Sequence, residues 1–388
     1  MKFYQKVFSK TLLLLLVMLF SIGIPSDVSA LSEKEITAPA AVLMDAETGK
    51  VLYQKNPHEV RACASITKVM TLTLVMEAID SGKISWSDKV SASAHAASMG
   101  GSDIWLEQGE VMTVDEMVKA TIVASANDAA VALAEYICGT EDEFVEKMNQ
   151  KAKELGMKET VFKNCNGLDE EGHVTSAYDV ALMSRELIKH PKILEYSCIW
   201  MDQLRGGKTQ LVNTNKLLKT YQGITGLKTG TTSQAGSCIS ATAERDGLNL
   251  IAVVLGSSTG KERFQDAAKL LDYGFANYAM YTPEIPDDIA KEIKVKNGME
   301  KNVRLSYSAD SSVLIKKGDE EKITYDISLP EELSAPVKKG SKVGKIVYKN
   351  NGTLVAEYPV TAADSVKEIT FGDIFRIIFR ALAGTCSQ

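Results

Sequence analysis

Strand-like segments stand at both ends of residues 31–281, and helix-like segments lie between them. Residues 40–56 alternate apolar and polar side chains about a glycine turn, which predicts a β-hairpin. Residues 237–258 form two apolar runs about an Asp246-Gly247 turn, which predicts a second hairpin. These strands are far apart in the sequence and would have to pair in one sheet. The order therefore predicts a single α+β domain with a helical insertion.

The segments between the two hairpins carry helix signals. Thr113 and Glu116 form a capping-box pair, which predicts a helix that ends near Ala124. A break follows at "SAND", and an apolar helical run comes directly after it. Helical patterns also begin after Ser65 and Thr140 and recur in residues 175–190 and 261–278.

The spacing of apolar residues changes near residues 282–288. Short alternating runs follow, with tight-turn signals at Asn297-Gly298 and Asn351-Gly352. These runs predict a small all-β domain over residues 286–362. From residue 364 onward the chain looks helical again.

The first 30 residues differ in kind from the rest of the chain. Lys2, Lys6 and Lys10 precede the apolar run "LLLLLVMLF", and the segment ends with small residues at Ser29 and Ala30. This pattern predicts a secretory signal peptide over residues 1–30, cleaved after Ala30, with an uncleaved membrane anchor as the alternative.

Charge and cysteine usage exclude several classes of function. The chain carries a net charge of -6, and no basic patch indicates a nucleic-acid partner. Its six cysteines lie far apart without a CxxC pair, and its four histidines are scattered. We therefore expect no metal site, no cofactor and mostly free thiols.

Ser65 and Lys68 lie three residues apart at the start of a predicted helix, so they share one face of it. Backbone N–H groups at a helix start favour developing negative charge. A serine hydroxyl is a poor nucleophile unless a base takes its proton, and a lysine of lowered pKa can be that base. An isolated S-x-x-K pair is more often a helix cap beside a lysine that reaches water. The pair therefore needs support from elsewhere in the chain.

Two further short motifs supply that support. "SAN" at residues 125–127 stands in the break between two apolar helices, and "KTG" at residues 228–230 precedes the second hairpin. Gly230, beside a strand, would let another backbone approach closely. Alone, the first would be a helix cap and the second a turn.

Together and in this order, S-x-x-K, S-x-N and K-T-G are the signature of the penicillin-binding proteins and the serine β-lactamases. The chain resembles the D-alanyl-D-alanine carboxypeptidases among the low-molecular-mass penicillin-binding proteins, over nearly all of residues 31–388. The β-rich appendage and the tail fit that group rather than a plain β-lactamase, and we favour its sporulation-type members. The resemblance extends to "HAASMGGSDIWLEQGE", "ASANDAAVALAEY", "NGLDEEGHVTSAYD", "GITGLKTGTTSQAG" and "LIAVVLGSS".

The resemblance implies a role for each motif side chain. Ser65 would be the acylated nucleophile and Lys68 its general base. Ser125 would relay a proton to the departing amine, and Asn127 would orient the substrate amide. Lys228 would add positive potential, which helps to keep Lys68 neutral and attracts an anionic substrate.

The resemblance also implies a binding surface for the substrate. Thr229 and Arg263 would bind the terminal carboxylate, and the N–H groups of Ser65 and Thr231 would form the oxyanion hole. Gly230 belongs to the same K-T-G segment. The implied fold has a five-stranded antiparallel sheet with a helical subdomain, and this segment is its edge strand. The substrate would lie against that edge as an added strand.

Two residues invite other interpretations. Cys63 stands where the family usually has proline, so a packed thiol is the main expectation and a reactive thiol the alternative. His173 could suggest a Ser-His-Asp triad. A Ser–Lys pair needs no histidine, however, and we expect His173 to be structural.

The leading functional hypothesis is an exported serine D-Ala-D-Ala carboxypeptidase that acts on peptidoglycan stem peptides. β-Lactam antibiotics would acylate the same serine. The alternatives are an endopeptidase or transpeptidase that uses the same acyl-enzyme, and an inactive wall-binding protein. The enzyme would work at the outer face of the cytoplasmic membrane or in the cell wall.

The segment over residues 364–388 is predicted to attach the enzyme to a membrane surface. It is too short and too charged to span a bilayer, but it could lie in the interface. The alternatives are a helix that docks on the β domain and one that pairs with a partner protein. The apolar residues with helical spacing are Phe371, Ile374, Phe375, Ile378, Phe379 and Leu382.

Overall fold

The computed structural model describes residues 31–309 and 311–384. The predicted signal peptide at residues 1–30 lies outside the described residues. The strands of the first part of the chain are β1 Ala40–Asp45, β2 Val51–Lys55, β3 Lys89–Ser91, β4 Val111–Thr113, β5 Met201–Leu204, β6 Thr209–Val212, β7 Ile224–Thr232, β8 Gly236–Arg245 and β9 Leu248–Ser257.

The helices of the same part follow a short 3₁₀ turn at Ala64–Thr67. They are α1 Lys68–Asp80, α2 Ala94–Ala97, α3 Val114–Lys119, α4 Asn127–Cys138, α5 Glu141–Glu154, α6 Ala177–Leu187, α7 Pro191–Ser197 and α8 Gly260–Asn277.

Five antiparallel strands form the main sheet in the order β2-β1-β9-β8-β7. Both predicted hairpins are present as β1–β2 and β8–β9, and β1 pairs with β9 through Val42 and Val253. The sheet is thus assembled from the two ends of the α+β domain, as the sequence predicts. β7, which contains the K-T-G segment, is an edge strand.

Alternation along β1 separates the two faces of this sheet. Val42 and Met44 join the apolar core that includes α1 and α6, whereas Leu43 faces the glycine of α8 at Gly274. A Cβ at Gly274 would lie 2.4 Å from Leu250, so α8 packs directly on the strands. The helical insertion covers one face of the sheet, and α8 covers the other.

The remaining strands form a second, all-β part. Its strands are β10 Tyr278–Tyr281, β11 Glu292–Lys296, β12 Asn302–Tyr307, β13 Val313–Lys316, β14 Ile323–Ser328, β15 Glu332–Ser334, β16 Lys342–Asn350 and β17 Thr353–Ala362. Six of them make one sheet in the order β14-β16-β17-β12-β11-β15, and β10 pairs with β13. Hairpins turn at Asn297 and Asn351, whose positive φ angles suit asparagine.

The predicted terminal helix is α9, Phe371–Gly384. Thr370 and Asp373 cap its start with reciprocal hydrogen bonds. Its aromatic side chains Phe371, Phe375 and Phe379 are 83%, 64% and 65% exposed. Within residues 31–309 and 311–384, no helix combines the length and the apolar character needed to cross a bilayer.

Candidate active site

The nucleophile candidate lies in a tight turn before α1. Ser65 is partly exposed in the 3₁₀ turn, whereas Lys68, the first residue of α1, is fully buried. Lys68 Nζ and Ser65 Oγ are 3.0 Å apart, within hydrogen-bonding distance. The i, i+3 spacing therefore brings the hydroxyl and the amine together as the sequence predicts.

Two other acceptors surround the Lys68 amine. Nζ donates to Asn127 Oδ1 at 2.5 Å and to the backbone oxygen of Asn166 at 2.6 Å. A neutral amine has two N–H bonds and one lone pair. If the two oxygens take the N–H bonds, the lone pair is left facing the Ser65 hydroxyl, as proton abstraction requires.

Burial lowers the pKa of Lys68 to about 7, while Cys165, Asp103 and Asp128 oppose the shift. The desolvated ammonium is disfavoured because the low-dielectric interior cannot replace its hydration. Near neutral pH, a large fraction of Lys68 is therefore the free amine. The tertiary fold, not the S-x-x-K spacing, produces this shift.

Ser125 and Asn127 occupy the break between α3 and α4. A π-helical turn, Ala120–Ala124, ends at Ser125, which adopts φ 63° in the left-handed region. Asn127 Nδ2 donates to the Gly100 oxygen at 2.6 Å, and its Oδ1 already bonds Lys68. The Asn127 amide therefore has a fixed orientation, linking the base to the loop over residues 99–106.

Gly230 allows β7 to lie directly against the 3₁₀ turn Ala64–Thr67, called the nucleophile turn below. A Cβ at this position would stand 2.8 Å from the Cys63 oxygen and 3.0 Å from the Ser65 nitrogen. The first distance is shorter than real Cβ contacts and the second is at their lower limit, so only glycine fits without a shift of backbone. The predicted close approach at the K-T-G segment is thus an approach of Ser65 itself.

Lys228 points into the same buried region. Its Nζ donates to the Thr229 oxygen at 3.0 Å. Burial, followed by the neighbouring Lys68 and Arg263 cations, holds the pKa of Lys228 well below its usual range. The two buried amines and the Arg263 guanidinium therefore disfavour one another's positive charge, an effect that a nearby anion would offset.

Arg263 reaches β7 from the first turn of α8. Its Nη1 donates to the Gly230 oxygen at 2.9 Å, to Thr231 Oγ1 at 2.8 Å and to the Cys238 oxygen at 3.3 Å. Nε is buried without a partner among the described residues. Arg263 therefore supports the edge strand through Nη1, while its buried Nε has no hydrogen-bond acceptor among the described residues.

Sequence reasoning missed three residues of the site. Asn166 supplies a carbonyl to Lys68. Thr214 Oγ1 accepts a 2.6 Å hydrogen bond from Thr229 Oγ1, and Gly167 lies so close to Ala64 that a Cβ would be 2.0 Å from the Ala64 oxygen. Asn166 and Gly167 lie within one segment of the stated resemblance, but Thr214 had no signal in the sequence.

The two doubtful residues are both buried. Desolvation raises the pKa of the Cys63 thiol to about 12, which disfavours the thiolate that a reactive cysteine needs. His173 hydrogen-bonds Thr67 and the backbone nitrogen of Lys163. Both ring nitrogens of His173 are thus engaged away from Ser65, whereas a Ser-His-Asp triad needs one of them at the serine hydroxyl.

Comparison with known families gives two matches along the chain. The family described as D-alanyl-D-alanine carboxypeptidase, peptidase S11, matches residues 27–259. The C-terminal domain of penicillin-binding protein 5 matches residues 278–368.

Curated relatives and solved structures agree with these matches. The chain is 48% identical to D-alanyl-D-alanine carboxypeptidase DacF of Bacillus subtilis over 344 residues, covering 88% of each protein. It is 35% identical to DacC of Escherichia coli, covering 86% of this chain and 85% of that protein. The crystal structure of penicillin-binding protein 5 from Haemophilus influenzae superposes with a TM-score of 0.72 at 33% identity. That match covers 87% of this chain and all of the other.

An antibiotic-bound structure is also similar. Penicillin-binding protein D2 from Listeria monocytogenes, in its ampicillin-bound form, matches with a TM-score of 0.54 and 37% identity. The match covers 61% of this chain and 97% of that one.

Proposed function

Because the chain belongs to the D-alanyl-D-alanine carboxypeptidase family of serine peptidases, we propose that it removes the terminal D-alanine of peptidoglycan stem pentapeptides through an acyl-enzyme on Ser65. The observation that carries this assignment is the contact of a fully buried Lys68 amine with the Ser65 hydroxyl at 3.0 Å. That contact provides a nucleophile and its base in one helical turn.

The proposed acylation step combines this contact with the roles that the resemblance implies for Ser125 and Thr231. Lys68 takes the hydroxyl proton while Ser65 Oγ bonds to the carbonyl carbon of the penultimate D-alanine. The N–H groups of Ser65 and Thr231 stabilise the oxyanion. The C–N bond then breaks, and Ser125 relays a proton to the departing amine of the terminal D-alanine.

Deacylation completes the cycle. Water adds to the Ser65 ester, the ester C–O bond breaks, and the serine hydroxyl regains a proton. A β-lactam would enter the same first step, since its strained amide presents a carbonyl to Ser65. The ampicillin-bound Listeria relative supports this part of the proposal.

Product analysis with a pentapeptide-bearing muropeptide tests the proposal. We expect a tetrapeptide product and one equivalent of free D-alanine. A cross-linked dimer and a free amine acceptor, assayed in parallel, would identify an endopeptidase or a transpeptidase instead. An absence of both products and of penicillin labelling would indicate an inactive wall-binding protein. A role in sporulation stays a prediction.

Arg263 is proposed to select substrates with a free terminal carboxylate. A guanidinium suits a carboxylate through paired hydrogen bonds, and losing such a contact costs about 1.5–3 kcal/mol, roughly ten- to a hundred-fold in rate. We expect Arg263→Ala to lower kcat/KM for an acid-terminated peptide by this factor beyond any loss on an amide-capped or ester-capped analogue.

The capped analogue is needed because Arg263 also holds Gly230 and Thr231 in place. The part of the loss in kcat/KM that is common to both substrates measures damage to the strand. If the whole loss is equal on the two substrates, Arg263 does not recognise the carboxylate.

We propose that α9 attaches the protein to the outer face of the cytoplasmic membrane. Its exposed aromatic side chains support apolar burial in the interface. Deletion of residues 364–388 should release the mature protein from liposomes and from the cell membrane fraction. High salt should release the intact protein poorly, because the charges of the tail sum to zero.

Two matched full-length variants separate apolar from ionic attachment. Serine at Phe371, Phe375 and Phe379 should abolish binding, whereas glutamine at Arg376 and Arg380 should leave most of it. Equal partition of the truncated and intact proteins would show that the tail is not an anchor.

A further inference from the structure

A buried hydrogen-bonded chain leads from the loop at residues 161–175 to the nucleophile turn. The Lys163 N–H donates to His173 Nδ1 at 3.1 Å. His173 Nε2 lies 2.7 Å from Thr67 Oγ1, and Thr67 Oγ1 donates to the Ala64 oxygen at 2.9 Å. Thr67 is fully buried and His173 is 4% exposed.

The backbone donor at Lys163 fixes which nitrogen of His173 carries the proton. Nδ1 of His173 accepts a backbone N–H, so its proton is on Nε2. Thr67 Oγ1 therefore accepts from Nε2 and donates to the Ala64 oxygen at 2.9 Å, a shorter contact than the 3.4 Å to Cys63 Sγ, whose own S–H can donate to Thr67. Burial lowers the pKa of His173 to about 4, with Glu170 and Asp169 opposing, which keeps the ring neutral near pH 7. The three hydrogen bonds then run in one direction, from Lys163 through His173 and Thr67 to Ala64, and each polarises the next.

This series of hydrogen bonds ends at the peptide group between Ala64 and Ser65, which carries the proposed oxyanion-hole N–H. The Ala64 carbonyl and the Ser65 N–H belong to the same peptide group, and in a trans peptide they point in opposite directions. A hydrogen bond that holds the carbonyl on one side therefore aims the N–H on the other. Ala64 itself has φ 50°, a conformation that an alanine does not hold without support.

The surrounding backbone is tied to the same loop. Arg61 and Thr175 exchange two backbone hydrogen bonds of 2.8 Å, just before the nucleophile turn. The Thr71 hydroxyl donates to the Cys165 oxygen, and Lys68 bonds the Asn166 oxygen. The loop thus contacts the turn and α1 on both sides of Thr67, so further hydrogen bonds flank the His173–Thr67 pair on each side.

We propose that Thr67 and His173 are positioning residues that orient and polarise the Ser65 N–H, so that this N–H stabilises the oxyanion. The inference rests on the proposed function, since the oxyanion forms on the substrate carbonyl. His173 acts through Thr67 and Ala64 and touches neither Ser65 nor the substrate.

The test uses Thr67→Val, which keeps the shape and removes the hydroxyl. Two measurements are made on the mature full-length protein: the rate of acylation by a fluorescent penicillin, and the affinity for a peptide boronic acid ending in a D-alanine analogue. The boronate bonds Ser65 Oγ as a tetrahedral adduct. We expect the acylation rate and the boronate affinity both to fall about ten- to a hundred-fold, less than the 10²–10³ for complete loss of an oxyanion-hole donor. KM for the pentapeptide should change little.

His173 offers a matched pair of variants. Glutamine can place an N–H near the position of Nε2 and keep the bond to Thr67, whereas asparagine can keep only the acceptor for Lys163. We expect His173→Gln to acylate nearly as fast as wild type and His173→Asn to resemble Thr67→Val. If Thr67→Val does not fold, the two His173 variants are sufficient to test the positioning role.

Thr73→Val is the control for a buried threonine in α1. Thr73 donates to the Val69 oxygen at 2.8 Å, four residues back, and lies away from Ala64. It should lower the melting temperature without slowing acylation. The inference is overturned if Thr67→Val and His173→Asn acylate like wild type, or if the Thr73 variant loses as much acylation as they do. A wild-type protein that is never acylated would overturn the proposed function, and this inference with it.

Discussion

Replacement of Ser65 by alanine is expected to abolish both covalent labelling by penicillin and the release of D-alanine. Ser65 is partly exposed in the nucleophile turn, with the Lys68 amine 3.0 Å from its hydroxyl and the Gly230 backbone against its nitrogen. No acyl-enzyme can form without Oγ, because the ester bond is made to that atom. Gel detection of a fluorescent penicillin adduct and a D-alanine assay measure the two losses.

The fold should survive the change, since removal of one hydroxyl leaves the packing of the turn intact. Melting temperatures of the variant and wild type should therefore agree. Ser87→Ala, at an exposed serine whose hydroxyl contacts that of Ser85, is the control and should label fully. Persistent labelling on another serine would overturn the assignment.

Replacement of Lys68 by methionine is expected to slow acylation by about 10²- to 10⁴-fold, the usual contribution of a positioned general base. Methionine fills similar space but cannot accept a proton. Lys68→Arg should lose as much, because a guanidinium stays protonated at every accessible pH. Stopped-flow acylation by a chromogenic β-lactam measures both. Lys83→Met, which removes a lysine bonded to the Ile137 oxygen at the surface, should acylate normally.

The pH profile of wild type separates a base from a merely structural lysine. Only the free amine can take the Ser65 proton, and its pKa is about 7. The acylation rate should rise with pH, reach half its plateau near pH 7 and fall about ten-fold per unit below that. The residual acylation rate of the methionine variant should not show this rise with pH. A wild-type profile that is flat from pH 5 to 9 would contradict the role of Lys68.

Local patterns in the sequence were sufficient for most of the secondary structure. The alternating runs became β1–β2 and β8–β9, since period-two side chains place one face of a strand in the core. The Thr113–Glu116 capping box is present in the structure, and the helical spacing of the tail became α9. These features depend on neighbours within a few residues, so the order of residues alone determines them.

The motifs and the resemblance identified the residues of the candidate site, but only the tertiary structure decided how they meet. Lys68 bonds Asn127 and Asn166, residues 59 and 98 positions away, and its pKa is lowered chiefly by burial. Gly230 touches the Ser65 turn across a still longer separation. No local pattern encodes such contacts, because they exist only after the sheet has joined the two ends of the domain. The sequence by itself thus determined which chemical groups and elements the protein has, and packing decided their distances, their solvation and hence their reactivity.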